Sequence, residues 1–196
     1  IDRIIVSTED EKIKKSVKKL FPKLEIIDRA KKLSTDRIAL TEVVKHVAAE
    51  IHTKDYKPDI VLQVAPTCPY VKKKTIESIV KKLKDNKSDC VVTLKRIEHE
   101  HPYRAKELNK KTKFFKSFIK NMNVEKFISR QDLPELYCTS GAIYGRTYEL
   151  LQKFNNNDFC LGKNPVGVVV DDVEATNIDR PIDFEFAEFL GKKIKK

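Results

Sequence analysis

Asp59-Ile60-Val61-Leu62-Gln63-Val64-Ala65-Pro66-Thr67-Cys68-Pro69 is the run on which the fold turns. Its near-continuous apolar character from Ile60 reads as a central strand covered on both faces, and the two prolines that bracket Thr67 stop it in a stiff turn. In open α/β sheets ligands bind outside the carboxyl ends of strands, so this turn is placed to border a pocket. A plain helix-initiating turn accounts for the same residues. Downstream, Ile76, Ile79, Val80 and Leu83 recur at helical spacing, and Cys90-Val91-Val92-Thr93-Leu94 reads as the next strand. Strands alternating with helices predict an α/β fold with a mostly parallel sheet.

Upstream the alternation continues. Ile4-Ile5-Val6 is a β-branched run, followed by Thr8 and Glu11 at capping-box spacing and by a helical face of Ile13, Val17 and Leu20. Leu24-Glu25-Ile26-Ile27 is a second strand. Ser34 or Asp36 is placed to cap a helix whose buried face is Leu40, Val43, Val47 and Ile51. At the other end, Tyr137 to Tyr144 reads as a strand, Thr147 to Phe154 as a helix and Val166 to Val170 as a strand. A final helix then buries Ile182, Phe186, Phe189 and Leu190.

Residues 95–135 break the pattern. They hold His99, His101, many lysines and an apolar knot of Phe114, Phe115, Phe118, Ile119 and Met122, which reads as an inserted arm that buries itself on its own core or on a second subunit. The two histidines lack a metal-binding helical spacing and read as surface residues. The 196 residues are therefore expected to form one domain, 1–196, with this excursion.

With 40 basic and 29 acidic residues the net charge is +11, which attracts polyanions such as nucleic acid, an acidic membrane or a nucleoside triphosphate. The lysines are scattered in short runs, which fits a solvated surface better than a nucleic-acid stripe. Four dispersed cysteines lack C-x-x-C spacing and read as reduced thiols of a cytoplasmic protein. No apolar run reaches membrane-span length. There is no G-x-G-x-x-G, no Walker loop and no G-x-S-x-G, so dinucleotide dehydrogenases, P-loop ATPases and α/β-hydrolases find no support.

Acidic residues concentrate near the carboxyl terminus. From Asp171 to Glu188 seven carboxylates stand against Arg180 alone. One or two of them at a strand end suffice to hold Mg²⁺ against a phosphate. Asp179 equally suits the cap of the helix that Pro181 opens, with Asp183 in its first turn.

Five separated stretches, in order, resemble the acylneuraminate cytidylyltransferases. Asp2-Arg3-Ile4-Ile5-Val6-Ser7-Thr8-Glu9-Asp10 is similar to that family's D-R-[IV]-[IV]-V-S-T-D-[DS] strand and turn. Pro66-Thr67-Cys68-Pro69 resembles its P-T-S-P, Arg130-Gln131-Asp132-Leu133-Pro134 its R-Q-D-L-P, and Ser140-Gly141-Ala142-Ile143-Tyr144 its N-G-A-I-Y. Thr176 to Phe184 resembles V-D-I-D-T-E-L-D-F. The resemblance implies a Rossmann-like nucleotidyltransferase fold, a homodimer built through the inserted arm, and Mg²⁺-dependent transfer of a cytidylyl group from CTP to the anomeric hydroxyl of a nonulosonic, sialic-type sugar acid. It places Asp179 and Arg130 at the chemistry, Asp179 and Asn177 at the metal, and Arg130, Gln131, Ser140, Tyr144, Thr67 and Gln63 on the substrate.

The sequence departs from the pattern at Asn177, where the family has a second aspartate, and at Ala65, where it has a glutamine that Gln63, on the same strand face, would replace. Ser140 stands for an asparagine. The family's N-terminal glycine-rich nucleotide loop has no counterpart here, and residues are expected to precede Ile1. The alternative expectations are a nucleotidyltransferase for another sugar or nucleotide, and a non-catalytic nucleotide-binding relative.

Overall fold

The computed structural model describes residues 1–35, 37–85, 88–120, 127, 129–153 and 159–194. In chain order the strands and α-helices are β1 (Ile5–Thr8), α1 (Glu11–Leu20), β2 (Glu25–Asp28), α2 (Leu40–Glu50), β3 (Ile60–Val64), α3 (Lys73–Lys84), β4 (Cys90–Arg96), β5 (Lys106–Leu108), β6 (Phe115–Ser117), β7 (Tyr137–Thr147), α4 (Tyr148–Lys153), β8 (Val166–Val169) and α5 (Pro181–Ile194). The expected α/β alternation is present.

Four strands form a sheet in the order β3-β7-β4-β8. Backbone bonds fix its directions. Tyr148 N to Asp59 O and Ala65 N to Ala142 O make β7 antiparallel to β3, while Thr147 N to Asp89 O and Ile97 N to Leu136 O make it antiparallel to β4. Val170 N to Leu94 O and the Ser88 hydroxyl to Asn164 O share one offset, so β8 runs parallel to β4. Three strands thus share a direction and β7 runs against them between two of them, so the sheet is mixed rather than mostly parallel. In this sheet β3 is an edge strand rather than a central one, because β7 inserts between it and β4, and the expected cover on both faces is not found: its residues are half-buried and Val64 is exposed. β1 and β2 pair in parallel as a separate ribbon.

The chain divides into two compact units. The first comprises Ile1–Val64, Glu77–Val91 and Tyr144–Val166. Its core gathers Ala48, Tyr148, Leu151 and Cys160, with Val44, Val61 and Leu150 against them. Arg146 is buried yet satisfied: Nε donates to Cys160 O at 2.8 Å, Nη2 to Phe159 O at 3.0 Å and Nη1 to Gln63 Oε1 at 3.1 Å. A buried guanidinium with fewer acceptors would be strongly destabilising. The α1 cap is Asp10 and not the expected Thr8, since the Asp10 carboxylate accepts from Lys12 N and Ile13 N while Thr8 Oγ1 takes Asp10 N. No residue of α1 is buried: of the expected face, Ile13 and Leu20 lie open and Val17 is half-buried. Helix α2 starts after Ala39 without a side-chain cap; Ser34 instead bonds Ala30 O, and Asp36 lies outside the described residues. Val43 in α2 and Ile51 just after it are buried as expected, whereas Val47 is half-buried and Leu40 exposed.

The second unit comprises Ala65–Ile76, Val92–Ile143 and Gly167–Lys196. The turn after β3 is fastened to the segment after β8. Glu174 is only 2% exposed, and its carboxylate accepts from Lys72 N at 3.0 Å with Lys72 Nζ 3.9 Å away. Ile178 N donates to Thr67 O at 2.9 Å, and the Tyr70 hydroxyl donates to Ala187 O. Lys72 also pairs with Asp171, which holds that carboxyl below its usual range, with the backbone N–H of Glu174 adding to the effect.

Tyr70 also explains a departure in α5. Ala187 is buried and a Cβ on Gly191 would lie 2.9 Å from the Tyr70 hydroxyl, so the small-residue face makes the contact. The expected burial of Ile182, Phe186 and Phe189 is therefore not found, and all three are exposed. In the arm, β5 and β6 form an antiparallel hairpin with Phe114, Phe115 and Phe118 exposed; Met122 lies outside the described residues, as does Phe154. His101 is buried rather than on the surface. Its Nδ1 accepts from Tyr103 N at 3.2 Å and its Nε2 bonds Pro134 O at 3.1 Å, two backbone partners that close the loop. His99 is exposed. No helix among the described residues is long and apolar enough to cross a membrane.

Two substitutions test this packing. A Cβ at Gly145 would stand 2.5 Å from Ile79 Cγ2 and 3.0 Å from Leu62 Cδ2, so Gly145→Ala should cost about 1–3 kcal/mol by overpacking, read as a lower urea midpoint. Glu174→Ala removes the acceptor of Lys72 N and should cost about 1–3 kcal/mol in the same measurement, with Glu174→Gln retaining part of the loss.

Candidate active site

The fastening of the 65–72 turn leaves the segment after β8 beside the carboxyl end of β4, where α/β sheets bind ligands. A cavity of about 660 Å³ opens there. One wall is Lys95 from β4 with Thr139 and Ser140 from β7. The other is Asp172, Thr176, Asn177 and Asp179, closed by Asp183 and Phe186 from the start of α5.

Local bonds shape the acidic wall. Asp171 accepts from Glu174 N at 2.9 Å and Thr176 Oγ1 donates to Asp172 O at 3.1 Å, which turns the chain after β8. Asp183, in the first turn of α5, accepts from Arg180 N at 2.8 Å and Asp179 N at 3.2 Å. It therefore takes the capping role considered for Asp179. The Arg180 guanidinium donates to it as well, through Nη2 at 2.9 Å, and holds its carboxyl below the usual range.

That arrangement leaves Asp179 available. It is exposed to the cavity, and its Oδ2 accepts from Asn177 Nδ2 at 2.6 Å. Asn177 Oδ1 in turn faces the Cys68 thiol at 3.6 Å. Burial pushes that thiol up, a bond with Thr67 partly opposes the shift, and the charge of Asp179 adds to it, so Cys68 is a neutral donor. Among the described residues no group of three or more His, Cys, Asp or Glu converges as a protein cage for a metal. Mg²⁺ does not require one: it takes one or two carboxylates and fills its remaining positions with water and phosphate oxygens. Asp179 suits that limited donor set, whereas Asn177 turns its Nδ2 to Asp179 and its Oδ1 to Cys68 and would supply an oxygen only with its amide turned over.

Of the residues singled out by sequence, Ser140, Asn177 and Asp179 line this cavity together. Thr67 joins them through its backbone bond to Ile178. Ser140 is buried, its hydroxyl donating to Thr93 Oγ1 at 2.7 Å. Arg130 and Gln131 lie elsewhere in the second unit, on a 3-10 turn (Arg130–Asp132) capped by Ser129, where Arg130 pairs with Glu98 and Gln131 bonds Ser129. Arg130 lines a separate, small pocket of about 40 Å³ with Arg96, Glu98 and His101. Gln63 and Tyr144 belong to the first unit, where Gln63 accepts from Arg146 and the Tyr144 ring lies 5.0 Å from the Arg146 guanidinium.

Sequence reasoning missed Glu174, Asp172 and Lys95. Glu174 and Asp172 were visible only as members of an acidic run. Lys95 had a usable signal: it stands two residues after Thr93 on one strand and so shares its face.

Comparison with known proteins bears on this arrangement. A CMP-2-keto-3-deoxy-manno-octonic acid synthetase complexed with CTP superposes with a TM-score of 0.64 at 15% identity, over 98% of this chain and 82% of that one. A 4-diphosphocytidyl-2C-methyl-D-erythritol synthase from Anaerococcus prevotii gives 0.62 at 12% identity, over 98% and 82%. Molybdopterin-guanine dinucleotide biosynthesis protein A from Archaeoglobus fulgidus gives 0.51 at 13%, over 96% and 78%. At these identities the likeness is one of fold, the Rossmann-like nucleotidyltransferase fold. No curated protein matches the sequence. The cytidylyltransferase family model, however, matches residues 1–193, nearly the whole length. The chain therefore belongs to the cytidylyltransferase family, and is a CTP-dependent nucleotidyltransferase.

Proposed function

We propose that the protein transfers the cytidylyl group of CTP to the anomeric hydroxyl of a nonulosonic, sialic-type sugar acid. The observation that carries this reading is the meeting of Ser140, Asn177 and Asp179, from two separated motifs, in one cavity at the carboxyl end of β4. In the reaction the anomeric oxygen bonds to the α-phosphorus, the bond from that phosphorus to the bridging oxygen breaks, and pyrophosphate leaves as the hydroxyl proton is released. Asp179 and Asn177 would hold Mg²⁺, which when bound offsets negative charge on the phosphate oxygens. The chain's own contribution is placement. Asp183 and Arg180 neutralise one another and fix the start of α5, which leaves Asp179 open to the cavity, where the phosphates of CTP would lie. Glu174 keeps the 65–72 turn against that segment, and Thr93 fixes the Ser140 hydroxyl in the opposite wall.

Two copies are proposed to meet through the β5–β6 hairpin, whose Phe114, Phe115 and Phe118 are exposed, in a cytoplasmic enzyme whose four cysteines form no disulfide. The competing acceptor reading, another sugar, draws on Ser140: its hydroxyl is committed to Thr93 and offers the substrate less than a free amide would.

In the assay, the protein with CTP, Mg²⁺ and a panel of nonulosonic acids releases pyrophosphate, and silence with every acid rejects the reading. CTP should raise the melting temperature more than ATP, GTP or UTP. Asp179→Asn should lower turnover by about 100-fold or more with the fold retained, whereas unchanged turnover would support a non-catalytic relative. Asn177→Asp adds a second carboxylate and should lower the Mg²⁺ concentration for half-maximal rate. Phe115→Asp should shift the protein from dimer to monomer in sedimentation.

A further inference from the structure

Resting on the cytidylyl-transfer reading, we propose that Lys95 receives the carboxylate of the acceptor sugar acid and so sets the preference for acids. The motif resemblance places Arg130, and not Lys95, on the substrate. Strand geometry separates the two residues. Along β4 side chains alternate, so Thr93 and Lys95 share one face and Arg96 takes the other. Thr93 marks its face: its Oγ1 accepts from the Ser140 hydroxyl at 2.7 Å, and Ser140 and Lys95 both line the cavity that holds Asp179. Arg96 marks the opposite face. It lines the small second pocket with Arg130, and Arg130 is already paired there with Glu98.

Charge within the main cavity points the same way. Its cations are Lys95 and Arg180, and Arg180 is taken up by Asp183 through Nε at 3.3 Å and Nη2 at 2.9 Å. Lys95 makes no ion pair among the described residues and is exposed to the cavity. The carboxylates that face the cavity are Asp172, Asp179 and Asp183 on the acidic wall and Glu100 beyond the end of β4. The acidic wall repels an anionic group unless a cation intervenes, so it suits the phosphate and metal end of the reactants. The acceptor's own carboxylate then has one uncommitted cation to meet, on the wall that also carries Ser140. A lysine ammonium is a flexible point charge with three donors, able to follow a carboxylate without the fixed geometry of a guanidinium.

The test compares acid with ester. The probes are N-acetylneuraminic acid, 2-keto-3-deoxy-manno-octonic acid and their methyl esters, read by calorimetric binding with CTP present and by pyrophosphate release. Wild-type protein should prefer at least one acid over its ester by about 10- to 100-fold, the range of one hydrogen bond to a charged group. Lys95→Met should abolish that preference while leaving the KM for CTP unchanged, and Lys95→Arg should restore part of it. Arg130→Met should keep the preference. Survival of the preference in Lys95→Met, its loss in Arg130→Met alone, or equal binding of acid and ester by wild type each overturns the assignment. Absence of any CTP-dependent thermal shift in wild type instead overturns the cytidylyl-transfer reading, and this inference with it.

Discussion

One buried carboxylate holds the site together. Glu174 sits where water cannot solvate it, and a buried charge is tolerated only when its lone pairs are taken. It meets the backbone N–H of Lys72, whose side chain reaches back to Asp171. That grip joins two stretches about a hundred positions apart in sequence, and the bonds from Ile178 N to Thr67 O and from Tyr70 to Ala187 O extend it along the same seam. Loosened there, the segment carrying Asn177 and Asp179 would have no fixed relation to the turn after β3.

The carboxylates of the acidic run divide their work by what they bond. Asp171 and Glu174 serve the seam, Asp183 serves the start of α5, and Asp179 is left with the Asn177 amide as its partner. The same sorting operates on the cations. Alternation along β4 sends Lys95 and Arg96 to different pockets, so two neighbouring positive charges cannot do the same job. Charge composition alone, +11 over the chain, carries none of this information.

Among the described residues, large apolar side chains stay exposed on the Ile13 and Leu20 face of α1, on the Phe114, Phe115 and Phe118 hairpin and on the Ile182, Phe186 and Phe189 face of α5, besides scattered positions such as Val169 and Phe159. For α5 the cause is visible. Tyr70 requires a close approach, which Ala187 and Gly191 permit and phenylalanine would not, so the helix turns its small face inward.

The α/β alternation was legible because it is written in local periodicity: Ile79 and Leu83 at helical spacing, Cys90 to Thr93 as a continuous run. The motifs containing Ser140, Asn177 and Asp179 were legible as words, and their convergence followed from strand ends that the fold brings to one side. What periodicity could not carry was pairing. β7 inserts antiparallel beside β3, Asp10 displaces Thr8 as a cap, His101 is drawn inside by two backbone partners, and Arg130 is claimed by Glu98. Each of these depends on a partner distant in the chain or on competition between adjacent groups. The sequence by itself determined which elements form and which residue types are available for chemistry, since both are local properties. Only the tertiary structure decided which charges are spent on structure and which face the cavity, because a side chain's role is set by the neighbour that reaches it first.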